Sequence, residues 1–536
     1  MPNATRHSGS KTLIDNLRQA RCYPHPVTEI QLLETHISWV LLSGDYAYKI
    51  KKPVNLGFLD FSTLERRRHC CEEELRLNRR LAPQIYLDVV RITGTATNPE
   101  INGNGPVIEY AVRMQQFSQD ALASALLAAG RLVPQQLLDF AVTLATFHQA
   151  APATDANSAW GNAPAILASA LQNFDQLSPL LSGAAEVAAL AALRKWTLHE
   201  HAVLQAAMEQ RRITGRVREG HGDLHLGNIV LIDGHLVPFD CIEFNAALRW
   251  NDVLSEAAFL VMDLQDRGSP QLGWLFLNAY LEQTSDYDGL PVLPCYLVYR
   301  AMVRAKVHGL RAAQPGLDGR KRVSLLAASR TYLALAQTYA HRPPPALIIT
   351  HGLSGSGKSR IAGELMQQLG AIRIRSDVER KRLHHLAPQE RSGDAVGAGI
   401  YNDQSTADVY HHLAGLARKI LAAGCTTIVD ATFLQRWQRD LLHGVARNAG
   451  ARFLIMAVSA PEAVLRARIS HREAAGNDPS DAGIMVLEHQ LQTRQALADA
   501  ERVVAVEMNS DSGTPEACCR NVIAALAAMQ ATQESA

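Results

Sequence analysis

The chain has 536 residues and a mass of 58.6 kDa, enough for two large domains or three of ordinary size. Its 53 lysines and arginines offset 52 aspartates and glutamates to a formal charge of +1, which excludes a whole-chain polyanion binder and leaves room for a local basic groove. A hydrophobic fraction of 47% with 20% charged residues excludes disordered and fibrous classes, and no apolar run approaches the length of a membrane span.

The N-terminal stretch MPNATRHSGSKTL lacks the apolar segment of a secretory signal. The eight cysteines form no CxxC pair, and reduced thiols in a cytoplasmic protein are expected. A helix is predicted over Leu13–Ala20, with a turn at Pro24 and Pro26. Ile37–Leu42 and Tyr46–Lys51 are short apolar and aromatic runs separated by Ser43-Gly44-Asp45, the pattern of a β-hairpin. Ser62-Thr63-Leu64-Glu65 has the form of a capping box that opens a charged helix running to Leu81. Pro106–Met114 reads as a strand, and residues from about 119 to 215 are rich in Ala and Leu at helical spacing. A small sheet lobe followed by a mostly helical lobe is the expected plan of this first part.

The most informative stretch is His221-Gly222-Asp223-Leu224-His225-Leu226-Gly227-Asn228, followed by Ile229-Val230-Leu231-Ile232 and by Val237-Pro238-Phe239-Asp240. Two short strands should flank a turn at Asp233-Gly234. Phosphoryl transfer from ATP needs a base that orients the acceptor and oxygen ligands for Mg²⁺. Asp223, Asn228 five residues on, and Asp240 beyond the hairpin supply that set; a satisfied His–Asp cluster at a turn is the alternative.

This loop resembles the HGDxHxxN catalytic loop of the aminoglycoside phosphotransferase and choline kinase families, relatives of the protein kinases. The resemblance implies an α+β kinase-like bilobal domain with Asp223 as catalytic base, Asn228 and Asp240 as Mg²⁺ ligands, and His221 and His225 bracing the loop. It implies that Lys49 grips the α- and β-phosphates, with Lys51 on the same strand face as a competitor. Glu74, with Glu73 as neighbour, is the implied partner of that lysine; a solvated face is the alternative for these charges. No GxGxxG loop is present. Glu34-Thr35-His36-Ile37-Ser38 takes its place, which favours a small-molecule kinase over a protein kinase, and Arg113-Met114-Gln115-Gln116-Phe117 would form the adenine hinge. The acceptor pocket would be built by the helical lobe, roughly residues 120–212 and 254–308, which carries no readable signature.

The wording Tyr48-Lys49-Ile50-Lys51-Lys52-Pro53, Gly57-Phe58-Leu59-Asp60-Phe61 and Asp252-Val253-Leu254-Ser255-Glu256, with Asp263 and Tyr299-Arg300-Ala301, is similar to an uncharacterised bacterial group. In that group a phosphotransferase-like domain is fused to a P-loop kinase-like domain. The resemblance covers nearly the whole chain and names no substrate.

A seam follows at His341-Arg342-Pro343-Pro344-Pro345, where three prolines end the helical stretch Val323–Tyr339. The expected domains are therefore 1–315, kinase-like; 316–344, a helical and Pro-rich linker; and 345–536, an α/β P-loop domain with a Rossmannoid parallel sheet. Ala346-Leu347-Ile348-Ile349 reads as a buried strand, and Gly352-Leu353-Ser354-Gly355-Ser356-Gly357-Lys358-Ser359 is a complete GxxxxGKS in the strand-then-helix setting that the motif requires. Its glycines let the backbone N–H groups of Gly352, Ser354, Gly355, Ser356 and Gly357 turn toward phosphate, Lys358 neutralises the β/γ oxygens, and Ser359 ligates Mg²⁺.

Ile372–Arg375 ends in Ser376-Asp377 with Arg380 three residues on, which places a carboxylate and a guanidinium at one helix start. This resembles the P-loop kinase group that includes polynucleotide and gluconate kinases, where the Asp activates the acceptor hydroxyl and the Arg holds an acceptor-side anion. Asp430, closing the strand Thr426–Val429, fits the Walker B position. Helix N-capping is the alternative for Asp377 and for Asp430. Arg466, Arg468 and Arg472 recur on a helix before Gly476-Asn477-Asp478-Pro479-Ser480, a pattern for a lid closing over phosphates, with a solvated helix face as the alternative.

The expectation is a bifunctional ATP-dependent phosphotransferase using ATP and Mg²⁺, with a small-molecule hydroxyl as acceptor at the first site and a second kinase site at the P-loop. One domain acting as a nucleotide-sensing ATPase regulator of the other is an alternative. So is a polynucleotide 5′-kinase, which the near-neutral charge neither supports nor excludes. No membrane partner is expected. His199-Glu200-His201 point apart on a helix and are read as surface residues rather than metal ligands. Acceptor identity and oligomeric state leave no trace in the sequence.

Overall fold

A computed structural model describes residues 10–55, 57, 59–155, 158–387, 390, 399–475 and 482–534. By compactness the chain divides into two units, residues 1–175 with 201–263, and residues 176–200 with 264–536.

The first unit opens with a helix over residues 10–16, earlier than the expected 13–20. Six strands follow: β1 (Ile30–Glu34), β2 (Ser38–Ser43), β3 (Tyr46–Lys51), β4 (Tyr86–Thr95), β5 (Asn98–Ile101) and β6 (Val107–Gln115). They form one antiparallel sheet in the order β1-β2-β3-β6-β4-β5. The hairpin pairs Ser38 with Lys51 and Ser43 with Tyr46, turning at Gly44 (φ 61°). Strand alternation sends Tyr48 and Ile50 into a core with Leu13, Ile14 and Leu17. Ala47, Lys49 and Lys51 point to the other face, where Ala47 packs with Cys71, Val112 and Val237.

The helix that reaches under this second face spans Leu64–Asn78. Its N-cap is Thr63 rather than Ser62, with the Thr63 hydroxyl accepting from the Arg66 amide at 3.3 Å, so Glu65 stands one residue too early to close a capping box. The helix stops three residues short of Leu81, and the side chain of its last residue, Asn78, is bonded on both sides. Its Nδ2 donates to the Glu74 carbonyl and its Oδ1 accepts from the Cys241 amide. Helices Ala123–Ala128, Pro134–Ala150, Ala163–Leu177 and Ala184–Ile213 occupy the Ala- and Leu-rich region, of which residues 176–200 fall in the second unit. Two small antiparallel pairs complete the first unit: β7 (Val217–Glu219) with β10 (Trp250–Asp252), and β8 (Ile229–Ile232) with β9 (His235–Pro238). The turn between β8 and β9 has Asp233 at φ 49° and Gly234 at φ 82°.

The second unit carries a five-stranded parallel sheet of β11 (Ala346–His351), β12 (Ile372–Arg375), β13 (Thr427–Asp430), β14 (Arg452–Ser459) and β15 (Ala505–Asn509), ordered β12-β13-β11-β14-β15. Strands buried on both faces read as unbroken apolar runs, as Ala346–Ile349 did. Helices Lys358–Leu369 and Pro515–Glu534 cover one face, burying Ile361 and Leu365 beside Val522 and Leu526.

Helices Pro270–Thr284, Leu293–Ala312 and Gly319–Ala340 belong to this same unit. Ser329 donates to the Ala305 carbonyl at 2.9 Å, and His308 stacks on Tyr332 at 5.6 Å, so residues 319–340 are packed rather than loose. Asn278 bonds the edge strand directly: its Nδ2 donates to the Ala371 carbonyl at 3.0 Å, and its Oδ1 accepts from the Arg373 amide at 2.8 Å. The Trp274 ring lies so near Gly370 that a Cβ there would meet it at 2.7 Å. The division by compactness and the boundaries drawn from the prolines thus part over residues 176–200 and 264–344. Among the described residues no helix is long and apolar enough to cross a membrane, and all eight cysteines are free.

Candidate functional site

In the first unit, β3 offers two lysines on one face, and both find Glu74. Lys49 Nζ lies 2.7 Å from Glu74 Oε1 and also contacts Asp240 Oδ1. Lys51 contacts Glu74 Oε2 and Glu243 Oε1. Glu73 turns the other way, to Arg76 at 2.9 Å and Arg249 at 3.4 Å. Burial works against the charge on Lys49, but Asp240 and Glu74 outweigh it and hold the ammonium well above its ordinary pKa. Burial likewise pushes the Asp240 carboxyl up, but the charge and hydrogen bond of Lys49 with the charge of Lys51 together outweigh it, and the net shift is downward.

Asp240 sits at φ 64°, a left-handed conformation that costs a non-glycine residue about 1–2 kcal/mol. Its amide donates to the Tyr86 hydroxyl at 3.0 Å, which helps to hold that conformation. In the loop, Asn228 Nδ2 donates to the backbone oxygen and to Oδ2 of Asp223, both at 3.1 Å, which leaves Asn228 Oδ1 as a further acceptor. His225 Nδ1 accepts from the Gly227 amide at 3.0 Å, and its Nε2 lies 3.5 Å from Asp223 Oδ2. The Phe239 amide donates to the Asn228 carbonyl at 2.9 Å, so the residue before Asp240 is tied to the loop. The charge of Asp223 is itself felt at Asp240. Glu256 and Asp263, on the helix Val253–Asp266, accept from the amides of His221 (2.7 Å) and Leu226 (2.9 Å).

His221 Nε2 donates to the Phe239 carbonyl at 2.8 Å, and its Nδ1 accepts from the Asp223 amide at 3.3 Å. That pair of bonds requires the neutral ring, and burial lowers the pKa below its ordinary 6.5. On acidification the unfolded loop takes the proton first, so the stabilisation is whole above about pH 6.5 and is lost as the pH falls further. Amides 221–228 should therefore lose hydrogen-exchange protection over the pH range below about 6.5, and a His221→Gln variant should show no such step. Equal protection above and within that range in the native chain would contradict the assignment.

The Glu34–Ser38 segment is the turn between β1 and β2, closed by the Ser38 amide donating to Thr35 Oγ1 at 2.9 Å. Two backbone donors of the expected hinge are taken within the protein: the Gln115 amide by the Ile85 carbonyl at 2.7 Å, and the Gln116 amide by Asp45 at 2.8 Å.

In the second unit a cavity of about 310 Å³ gathers Ser354, Gly355, Gly357, Lys358, Ser359, Asp377, Arg380, Asp430, Arg468 and Arg472. Gly352 and Ser356 line a separate cavity of about 420 Å³. Gly355 (φ 80°) needs to be glycine twice over, since a Cβ would also fall 2.9 Å from the Leu465 carbonyl oxygen. Ser359 Oγ donates to Asp430 Oδ1 at 3.0 Å, and Lys358 Nζ donates to the Leu353 carbonyl at 3.3 Å. Arg468 reaches the Gly355 carbonyl at 3.3 Å and Ser510 Oγ at 2.8 Å, and Arg472 reaches the Ala482 carbonyl at 2.5 Å. Arg466 is held by Glu462 and Glu488 and is not among the lining residues. Gly476–Ser480, the expected lid, lie outside the described residues.

Neither aspartate serves as a helix cap. The N-cap of helix Ser376–Leu383 is Arg375, which makes no side-chain capping bond, and Asp430 ends β13 well before the helix Arg436–Asn448. Arg380 donates to the Ile400 carbonyl at 2.7 Å. Sequence reasoning missed Arg375, Tyr410 and Gln490 as lining residues. Gln490 Oε1 accepts from the Ser354 amide at 2.9 Å and so pins the loop. It stands in an ordinary helical run with no motif to mark it.

The donor set fits Mg·ATP. Asp430 keeps its second oxygen, Oδ2, buried without a hydrogen-bond partner among the described residues, an acceptor that a hydrated cation would satisfy. Lys358 after the loop and Arg468 and Arg472 of the helix Glu462–Ala475 line the same space.

Residues 347–497 match the family described as AAA domain. Over 472 residues the chain is 31% identical to Rv2004c of Mycobacterium tuberculosis (strain ATCC 25618 / H37Rv), a match that spans 86% of this chain and 91% of that protein. The figures are the same for Mb2027c of Mycobacterium bovis, and both are described as uncharacterized. Among solved structures, a gluconokinase from Sinorhizobium meliloti 1021 is 20% identical over 36% of this chain and 98% of its own, with a TM-score of 0.26. The amicoumacin kinase hAmiN, in complex with AMP-PNP, Ca²⁺ and Ami, is 13% identical over 62% of this chain and 95% of its own, with a TM-score of 0.39.

Proposed function

The chain belongs to the family of Mycobacterium tuberculosis Rv2004c, and from the chemistry of its two sites we propose that it is an ATP-dependent phosphotransferase acting on hydroxyl acceptors at both. One observation carries the reading: a single cavity holds the P-loop lysine and the Ser359–Asp430 pair together with Asp377 and Arg380. A nucleotide-driven switch needs the first group and has no use for the second.

Mg·ATP, when bound, supplies the phosphoryl group and the metal charge. At the P-loop site, Ser359 and Asp430 would hold the metal, while Lys358, Arg468 and Arg472 offset phosphate charge. Asp377 accepts the proton of an acceptor hydroxyl, and Arg380 offers a cation to the acceptor side. At the first site Asp223 accepts the acceptor's proton. Asn228 orients that carboxylate, Asn228 and Asp240 would hold the metal, and Lys49, steadied by Glu74, meets the phosphates. The Thr35–Ser38 turn in place of a glycine-rich loop supports a small molecule as the acceptor at this site.

ADP release from the full-length chain, supplied with hydroxyl metabolites, nucleosides and 5′-hydroxyl oligonucleotides in turn, tests the proposal. Acceptor-dependent ADP should appear at two sites, one silenced by Asp223→Asn and the other by Lys358→Ala. ADP formed without any acceptor and lost only in Lys358→Ala would replace the proposal with the regulatory reading. No ADP with any acceptor would end it.

A further inference from the structure

We propose that Lys51 is a positioning residue of the first site: it occupies one oxygen of Glu74, and so leaves Lys49 free to exchange its carboxylate partners for a nucleotide's phosphates. The inference rests on reading that site as a nucleotide site.

The two lysines divide Glu74 between them, Lys49 on Oε1 and Lys51 on Oε2. The network has a closed end and an open end. The side chains of Lys51, Glu74 and Glu243 are 0%, 0% and 3% exposed, whereas Lys49 is 10% and Asp240 42% exposed. A ligand can therefore reach Lys49 and Asp240 but not Lys51, which lies 5.5 Å over the Phe61 ring. This settles which lysine could touch phosphate and leaves the other without a role in contact.

Its role follows from charge. Two ammonium groups face three carboxylates, those of Glu74, Asp240 and Glu243. Without Lys51, both oxygens of Glu74 and the carboxylate of Glu243 would be buried with Lys49 as the only ammonium in the network, and a buried carboxylate without its cation draws whatever cation can move. Lys49 would be pulled toward the closed end, and a nucleotide would have to win it back. With Lys51 in place, Glu74 keeps one firm partner and holds Lys49 by a single oxygen.

Glu243 adds a mechanical tie, since it stands three residues beyond Asp240. Through Lys51, strand β3, the helix Leu64–Asn78 and the segment bearing Asp240 share one buried junction. Those three elements carry Lys49, Glu74 and Asp240, so the junction fixes the spacing of the groups that would meet the phosphates.

The test uses the full-length chain with Lys358→Ala, so that only the first site reports. Mg·ATP affinity is measured by titration calorimetry beside the melting temperature. Lys51→Met should weaken Mg·ATP about tenfold. Because that variant also buries an unbalanced carboxylate, the deciding protein is Lys51→Met/Glu243→Gln, which removes one charge of each sign. It should recover the melting temperature and still bind Mg·ATP about tenfold more weakly, because Glu74 remains without its second partner. Parental affinity in a well-folded double variant would show that Lys51 is structural only, and the inference would fall. If the Lys358→Ala parent itself binds no Mg·ATP, the reading of the site fails and takes the inference with it.

Discussion

Asparagine in place of Asp223 is expected to slow phosphotransfer at the first site about a thousandfold while changing Mg·ATP affinity by less than about twofold. The replacement has the same shape, and it removes the only property that matters for proton removal, a carboxylate oxygen with spare basicity. Asp223 is well placed for that task. Its Oδ2 takes a hydrogen bond from Asn228 at 3.1 Å and has the His225 ring at 3.5 Å. Lys49 and Asp240, proposed to face the nucleotide, contact each other, and Glu74 holds Lys49, while Asp223 acts on Asp240 only through its charge. Initial rates with the acceptor found by the ADP screen, in a Lys358→Ala background, give the first quantity, and calorimetry gives the second. Full activity in the variant would remove Asp223 from the chemistry, whereas loss of binding with loss of rate would make it a metal ligand instead.

Removing the side chain of Lys358 is expected to weaken Mg·ATP at the second site about a hundredfold or more, the scale on which truncating one partner of a buried charge contact acts. The N-terminus of helix Lys358–Leu369 remains in the variant, so some affinity should persist. Ser359 and Asp430 also remain paired. A Lys49→Met background keeps the first site from contributing, and equilibrium dialysis with labelled ATP reads the result. Unchanged affinity would mean that the P-loop is not where the triphosphate is gripped.

Much of this architecture was legible because its signals are local. The hairpin needs only two short runs and a glycine, and the P-loop needs eight consecutive residues between a strand and a helix. Asp223, Asn228 and Asp240 lie within eighteen residues, so one short hairpin brings them together. What stayed hidden was long-range or degenerate. Alternation puts Lys49 and Lys51 on the same face and cannot rank them; burial and Glu243, 192 residues from Lys51, do. The box expected at Ser62 gave way to a cap at Thr63, an equally good N-cap residue, and the tie between Asn78 and Cys241 spans 163 residues. Tyr410 and Gln490 line the P-loop cavity from helices whose periodicity is that of any amphipathic segment.

The contact between Asn278 and β12 bears on how the P-loop sheet tolerates company. A border strand with bare amides and carbonyls invites a foreign strand to zip onto it. Here a carboxamide imitates such a visitor, giving to Ala371 and taking from Arg373, while Trp274 shields the adjoining bend at Gly370. A polypeptide started at the prolines would shed that bumper and show its neighbours a raw flank. The helix Pro270–Thr284, ahead of the prolines, thus covers part of the outer border of the sheet that carries the P-loop.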